Sequence, residues 1–255
     1  MIGLSASLSA PLIELICAGQ VKVDAVEASP YFTPQQIQAY RDQVPGMPFF
    51  FHGGNLIMAA DAWQQAETYL SCTTSPWLSV HISMWPPDIV QAVQYNGKRP
   101  PPLHPRRAIR RLVENVLALQ EKITVPIILE NMAPLTESEC ENEAAPAVIN
   151  EVLEKTGCDL LLDIAHARVA AAALQIDVHH YLADLLLSRV VQIHTNGPRH
   201  IRGRLQDAHE PLLEIDYALL AWVLEQTTPH IITLEYYQRR DALCEQLRRL
   251  ENMVA

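Results

Sequence analysis

The sequence predicts an α/β protein, a (β/α)8 TIM barrel formed as one domain over residues 1–255. Three observations predict it. The length of 255 residues is that of a typical single barrel of this kind. Short apolar runs alternate with longer amphipathic stretches, the pattern of βα units feeding a mostly parallel sheet. Nine metal-type side chains stand at or just past the ends of these runs: His52, His81, Glu130, Asp163, His166, His194, Asp207, His209 and Glu235. A barrel gathers the same ends of its strands at one face, so residues far apart in sequence become one site.

The runs can be taken in order. Ile2–Ser5 is the first strand, and the stretch after it, with its internal Pro11, fits a helix. No basic leader precedes this mildly apolar start, so an export signal is not expected. Asp24–Glu27 is the second strand. Thr33-Pro34 ahead of QQIQAYRDQ supplies an N-cap and a proline at the first helical position. Pro48–His52 is the third strand, followed by Gly53-Gly54, where bare backbone lets a ligand approach. Trp77–Ile82 is the fourth. The proline-rich stretch from Trp85 to Leu103 then reads as irregular chain on the ligand face, a candidate lid or substrate wall, with a plain surface excursion as the alternative.

Pro105–Lys122 places Ile109, Leu112, Val113, Val116 and Leu119 on one helical face. Val125–Glu130 is the fifth strand. Ala145–Thr156 is a helix that Gly157 stops, just ahead of the sixth strand, Asp159–Asp163. Val190–His194 is the seventh strand, Tyr217–Thr227 another helix, and Ile231–Glu235 the eighth strand.

Composition narrows the function. Apolar residues make up 49% and charged residues 19% of the chain, an ordinary globular balance. No apolar stretch approaches the roughly 18 residues of a membrane span. Acids outnumber bases 29 to 19, a net charge of −10, which argues against nucleic acid, whose phosphates are bound by basic faces. Five dispersed cysteines (Cys17, Cys72, Cys140, Cys158 and Cys244) form no CxxC, so a reduced cytoplasmic protein is expected rather than a disulfide framework.

The nine side chains differ in weight. His52 in PFFFH and His81 in LSVHIS, taken singly, read first as satisfied core histidines. Glu130 ends the apolar strand VPIILE, where an ionised carboxylate is costly unless it is paired or metal-bound. Asp163 ends DLLLD with His166 three residues on; capping the next helix is the competing role for this aspartate. His194 closes VVQIH. Asp207 and His209 form a D-x-H, and in extended chain residues two apart project to one side. Glu235 ends the last strand. A His/carboxylate set without thiolate suits zinc, iron or manganese and excludes iron–sulfur clusters. Nine ligands exceed the needs of one ion and, with bridging carboxylates, suit two or three.

Other polar residues read differently. His179 and His180 fall on an exposed helix face, and His104 and His230 in loops. Arg106, Arg107, Arg110 and Arg111 form a solvated helical face. Arg199, His200, Arg202 and Arg204 follow the His194 strand, where they could hold a substrate phosphate or carboxylate or simply line a solvated loop.

With these residues in hand, the chain resembles two groups of the xylose isomerase-like barrel superfamily. Its order of His, His, Glu, Asp-x-x-His, His, Asp-x-His, Glu is similar to the ligand order of trizinc endonuclease IV-like enzymes. Over nearly its whole length it resembles the multinuclear non-haem iron-dependent oxidative enzymes (MNIO), through IGLS, VDAVEASPYF, FFHGGNL, IILENMAPL, TGCDLLLDIAHARVAA, RVVQIHTNG, DAHEP and ITLEYY. Three positions depart from the MNIO pattern. Ala165 and His166 stand where asparagines are usual, Tyr236 and Tyr237 follow the last glutamate where Arg-Asp is usual, and the His194 loop lacks the small-residue-then-His pattern.

The resemblance implies two or three irons and the use of dioxygen to oxidise a cysteine-containing peptide or small thiol, often delivered by a partner protein. Glu130, Asp163, His194 and Glu235 would hold the core metal, and His52, His81, Asp207, His209 and His166 would complete flanking ions. Glu130, Asp163, His166 and Glu235 are the candidate catalytic residues. The alternative enzyme is a zinc- or manganese-dependent hydrolase or sugar isomerase or epimerase. A barrel kept only as a binding partner would have lost ligands, and none is missing.

Overall fold

The computed structural model describes residues 2–59, 61–83, 104–134 and 143–254. Eight strands close a parallel barrel: β1 (Gly3–Ser7), β2 (Ala25–Ala28), β3 (Phe49–His52), β4 (Leu78–His81), β5 (Ile127–Glu130), β6 (Asp159–Asp163), β7 (Val190–Thr195) and β10 (Ile231–Leu234). Each pairs with its predecessor among these eight, and β10 closes the ring on β1 through Gly3 opposite Ile231 to Ala6 opposite Leu234. All eight expected strands are present, with small shifts at their ends. Pro126 has no N–H to give, and β5 begins one residue later, at Ile127.

Nine helices occur among the described residues: α1 (Ala10–Cys17), α2 (Pro34–Arg41), α3 (Ala62–Ser71), α4 (Pro105–Gln120), α5 (Pro146–Thr156), α6 (Ile164–Leu174), α7 (Val178–Ala183), α8 (Glu214–Gln226) and α9 (Arg240–Val254). Local chemistry accounts for their ends. At α2 the Gln36 N–H donates to Thr33 Oγ1 (3.3 Å) and the Thr33 N–H to Gln36 Oε1 (2.8 Å), a reciprocal capping box. Gly157 ends α5 with φ +70°, a conformation L side chains avoid. On α4, Ile109, Leu112, Val116 and Leu119 are buried as the periodicity requires, Val113 packs at the edge, and the four arginines on the opposite face are exposed.

One element departs from the sequence reading. Between β7 and α8 the chain forms an antiparallel hairpin, β8 (Gly197–Ile201) and β9 (Arg204–Glu210), outside the barrel sheet. Arg202 (φ +53°) and Gly203 (φ +80°) form its two-residue tip, the positive-φ pair that matches the twist of a tight hairpin. At its base, a β-carbon on Gly197 would come within 2.3 Å of the Pro211 carbonyl oxygen, so only glycine fits there. The stretch Trp85–Leu103, read as a candidate lid, lies outside the described residues.

Strand register positions the site. His81 pairs opposite Glu130, and Asp163 opposite His194. Every one of these four side chains stands at or next to the C-terminal end of its strand, the face where barrel enzymes keep their chemistry.

Candidate metal centre

All nine of the side chains singled out in the sequence converge at this face. His52 Nε2, His81 Nε2 and Glu130 Oε2 form a tight triangle with sides of 3.0, 3.3 and 3.2 Å. The outer ring nitrogens are occupied elsewhere. His81 Nδ1 faces Asn55 Oδ1 at 3.0 Å, an acceptor, so Nδ1 carries the proton and Nε2 presents a lone pair. His52 Nδ1 stands 3.0 Å from Ser79 Oγ, whose hydroxyl can donate onward to the Phe51 carbonyl (3.4 Å). Three lone pairs therefore meet at a point. Ligand atoms about 2.1 Å from a common ion lie about 3.0–3.4 Å apart, and this triangle has that size.

Glu130 is the hub. Its other oxygen, Oε1, lies 3.2 Å from His166 Nδ1 and 3.7 Å from His194 Nδ1. His194 Nδ1 is in turn 3.3 Å from Glu235 Oε1. Asp163 divides its two oxygens between both roles considered for it. Oδ1 accepts from the His166 N–H at 2.7 Å, capping α6, while Oδ2 is buried without a hydrogen bond beside His166 and Glu130.

His166 donates its Nδ1 proton to the Asn131 carbonyl (2.8 Å), which leaves Nε2 toward Asp207 Oδ2 at 3.4 Å. Asp207 Oδ2 is also 3.2 Å from His209 Nε2, whose Nδ1 faces the Glu235 carbonyl at 3.3 Å. Both D-x-H residues thus come from β9 of the hairpin and reach back over the barrel mouth. His209 holds φ +46°, left-handed backbone that costs a non-glycine residue on the order of 1 kcal/mol and recurs at functional sites.

The donor set fits cations. Glu130 Oε2, Asp163 Oδ2, His194 Nδ1 and Asp207 Oδ1 are all buried and make no hydrogen bond. Four such atoms from four ligand-type residues at one place would be a heavy desolvation cost with nothing to offset it. Three groupings, buried except for half-buried His81 and Glu235, bring ligand-type atoms within 4.8 Å of one another: His52/His81/Glu130, Glu130/Asp163/His166 and Glu27/His194/Glu235.

The electrostatics point the same way. Burial works to raise the Glu130 carboxyl, but His81, His52 and His166 overcome it and hold its pKa well below the usual range. Burial raises Asp163 to about 8 against the pull of His166, with Glu235, Glu130 and Asp207 adding to the rise. Burial lowers His52 to about 4. His166 and His194 resist their own burial, and the carboxylates around them raise both well above the ordinary imidazole value. Protons here balance a crowd of carboxylates, which is the task bound cations perform.

Sequence reasoning missed four residues. Glu27, at the end of the second apolar run, is buried, with Oε1 2.8 Å from His194 Nε2. Its position at a strand end was the available signal. Asn55, Ser79 and Asn131 fix His81, His52 and His166 by hydrogen bonds that nothing in their local sequence announces. Arg199, read as a candidate anion holder, instead donates to the carbonyls of Pro198 (3.0 Å) and Pro211 (2.5 Å), so it braces the hairpin base. His200 and Arg202 are exposed along β8 and at the hairpin tip. His104 lies in the loop before α4, as expected, and caps that helix, its Nδ1 accepting from the Arg106 N–H at 3.4 Å. His179 and His180 are exposed on α7 as expected. At the mouth, the Tyr237 ring lies 5.9 Å from that of His209, and Tyr31, after β2, is 92% exposed.

Among the described residues no helix is long and apolar enough to cross a membrane. Cys17, Cys72, Cys158 and Cys244 are free thiols.

Comparison with known proteins agrees with this architecture. The chain is 12% identical to a xylose isomerase-like TIM barrel protein from Mycobacterium smegmatis solved with magnesium (TM-score 0.61; 100% of this chain, 97% of that one). It is 14% identical to a D-allulose 3-epimerase from Methylomonas sp. (TM-score 0.57; 99% and 97%). At such identities the likeness is one of fold. Among sequences, it is 29% identical over 180 residues to a UPF0276 protein of Psychromonas ingrahamii (68% of this chain, 62% of the relative). It is 33% identical over 134 residues to one of Bordetella pertussis (50% and 46%), and 26% identical over 230 residues to one of Pseudomonas aeruginosa (86% and 80%). The first two matches thus span between about half and two thirds of those relatives' own length. The family model of the RiPP precursor modification enzymes MbnB/TglH/ChrH matches residues 7–254. With that match covering nearly the whole chain, and a barrel mouth built of buried histidines and carboxylates, this protein belongs to the MbnB/TglH/ChrH family, the MNIO enzymes.

Proposed function

We propose that the protein is a multinuclear iron enzyme that oxidises a cysteine-containing peptide or small thiol. One observation carries the reading: a single buried carboxylate, Glu130, lies within 3.2–3.7 Å of imidazole nitrogens on four residues, His52, His81, His166 and His194. A carboxylate whose two oxygens face His52 and His81 on one side and His194 on the other could be shared between adjacent ions, while His166 Nδ1 is spent on the Asn131 carbonyl. Membership in a precursor-modifying family supports a peptide substrate.

His52, His81 and Glu130 would hold one ion. Glu130, Asp163, His194 and Glu235 would hold the central one, and His166, Asp207 and His209 the third. When bound, iron would supply redox equivalents and a site for a thiolate and dioxygen. The chain's own residues do the rest. Asn55 and Ser79 aim the two imidazoles of the first group, and the Asn131 carbonyl aims His166. Tyr31 and Tyr237 give the mouth an aromatic wall against which a peptide can lie. Glu235, at the edge of the buried cluster and 3.8 Å from His209 Nδ1, is placed to take a substrate thiol's proton.

A second reading follows from His166. Its imidazole completes the endonuclease IV-like order, and a third histidine-rich group suits zinc or manganese and hydrolysis or isomerisation. The test is metal content of protein purified without added metal, followed by oxygen uptake with cysteine and with cysteine-containing peptides. Two or three irons per chain and thiol-dependent oxygen uptake support the oxidative reading. Zinc or manganese at that stoichiometry, with no oxygen uptake from the iron-reconstituted protein, replaces it with the second.

A further inference from the structure

Beneath the candidate ions, four polar side chains make one directed chain of hydrogen bonds. Trp77 Nε1 donates to Gln192 Oε1 at 2.8 Å. Gln192 Nε2 donates to Glu27 Oε2 at 2.6 Å and to Thr233 Oγ1 at 3.0 Å. Glu27 Oε1 faces His194 Nε2 at 2.8 Å. Glu27, Gln192 and His194 are all buried.

The direction of this chain is fixed at its far end. An indole N–H only donates, so the Gln192 amide presents its oxygen to Trp77 and its nitrogen to Glu27, Thr233 and, at 3.1 Å, His194 Nε2. A carboxylate only accepts, so Glu27 Oε1, 2.8 Å from His194 Nε2, requires the proton on that nitrogen, and the two Gln192 N–H groups are left to Glu27 Oε2 and Thr233. His194 therefore bears its proton on Nε2. Its Nδ1, buried and without a hydrogen bond, faces Glu235 Oε1 at 3.3 Å and Glu130 Oε1 at 3.7 Å.

We propose that Trp77, Gln192 and Glu27 form a positioning relay that fixes which nitrogen of His194 binds metal, and that Glu27 is not itself a ligand. This rests on the reading that His194 holds an ion. Both Glu27 oxygens are already taken by donors, and the histidine, not the carboxylate, turns its free atom toward Glu130. A histidine locked by a carboxylate on its outer nitrogen is a stronger and more selective ligand.

The test uses zinc-loaded protein labelled with ¹⁵N-histidine, in which long-range proton–nitrogen correlation reads the protonated nitrogen. His194 is assigned by its loss in His194→Gln. In the parent protein the Nε2–H signal is expected, with Nδ1 bearing zinc. Glu27→Gln has one acceptor for two donors, so the Nε2–H signal should broaden or be lost and zinc affinity at one site should fall by roughly 10–100-fold. The exchange Glu27→Gln with Gln192→Glu restores a complete donor–acceptor order and should bring back both signal and affinity. Trp77→Phe removes only the anchoring donor and should weaken the same site more mildly.

An unchanged signal and affinity in Glu27→Gln would overturn the relay. Loss of a zinc ion that the exchange does not restore would make Glu27 a ligand, which also overturns it. If His194→Gln retains the full zinc content, the failure lies instead in the assignment of His194 as a ligand.

Discussion

The Nε2 atoms of His52 and His81 stand 3.0 Å apart with Glu130 Oε2 within 3.3 Å of both. Both imidazoles are fixed from behind by Ser79 and Asn55, so two lone pairs and a carboxylate share one point. His81→Ala is expected to remove one ion per chain and leave the others. Glu130→Ala, which also faces His166 and His194, should remove at least two. Metal analysis of the purified variants decides it, and equal losses from the two would contradict the bridging role.

Metal-free and metal-loaded protein should respond oppositely to pH. His209, raised to about 9 in the fold from 6.5, stabilises fully below pH 6.5, and that contribution disappears as pH rises through 9. Burial lowers His209; its bond to Asp207 and the charge of Glu235 reverse this. Asp163, raised to about 8 from 3.8, also loses stability as pH climbs toward 8. Glu235, held down to about 2 from 4.5, contributes above 4.5 and is lost only in strong acid. The metal-free melting temperature should therefore decline between about pH 6.5 and 9. Bound ions need deprotonated ligands, so the loaded protein should gain stability over the same range. Melting curves in chelator and in added metal test this; parallel profiles would contradict it.

Asn131 is a clamp between two ligand strands. Its Nδ2 donates to the Asp163 carbonyl at 2.9 Å, and its Oδ1 accepts from the Asp163 N–H at 2.9 Å. Both bonds are buried, and losing them leaves two backbone groups unpaired. Asn131→Ala should cost about 2–3 kcal/mol in urea unfolding and weaken metal binding through the displaced Asp163. A stability change near zero would show that the clamp is dispensable.

Tyr31 stands exposed after β2, and Tyr237 meets the cluster only through the ring of His209 at 5.9 Å. Replacing each with alanine should leave metal content unchanged and raise KM for a peptide several-fold more than for free cysteine. Steady-state oxygen uptake with both substrates separates these effects. Loss of metal in either variant would move that tyrosine from substrate wall to metal support.

The barrel was legible because its signals are local: apolar runs, the Thr33 cap and Gly157 each act within a few residues. Most of the cluster was legible for a geometric reason, since closing a barrel makes strand-end position equivalent to proximity. Glu27 obeyed that rule and was still passed over, because its role depends on Gln192, 165 positions away. Asn55, Ser79 and Asn131 were invisible for the same reason, their value residing in partners on other strands. The hairpin was read only as an extended D-x-H segment, since the Arg202-Gly203 tip carries a weak turn signal without its strands.

That hairpin gives the site a division of labour. Seven of the nine side chains grow from the barrel's own strands or the residues directly after them, while Asp207 and His209 belong to β9, whose pairing is with β8 alone. On the proposed assignment, the third ion depends on an appendage rather than on the scaffold. A lineage of such barrels can change from two metals to three, or exchange the outermost metal for a substrate contact, by rewriting about fifteen residues (roughly the span of a hairpin and its turn) and leaving every barrel strand as it is.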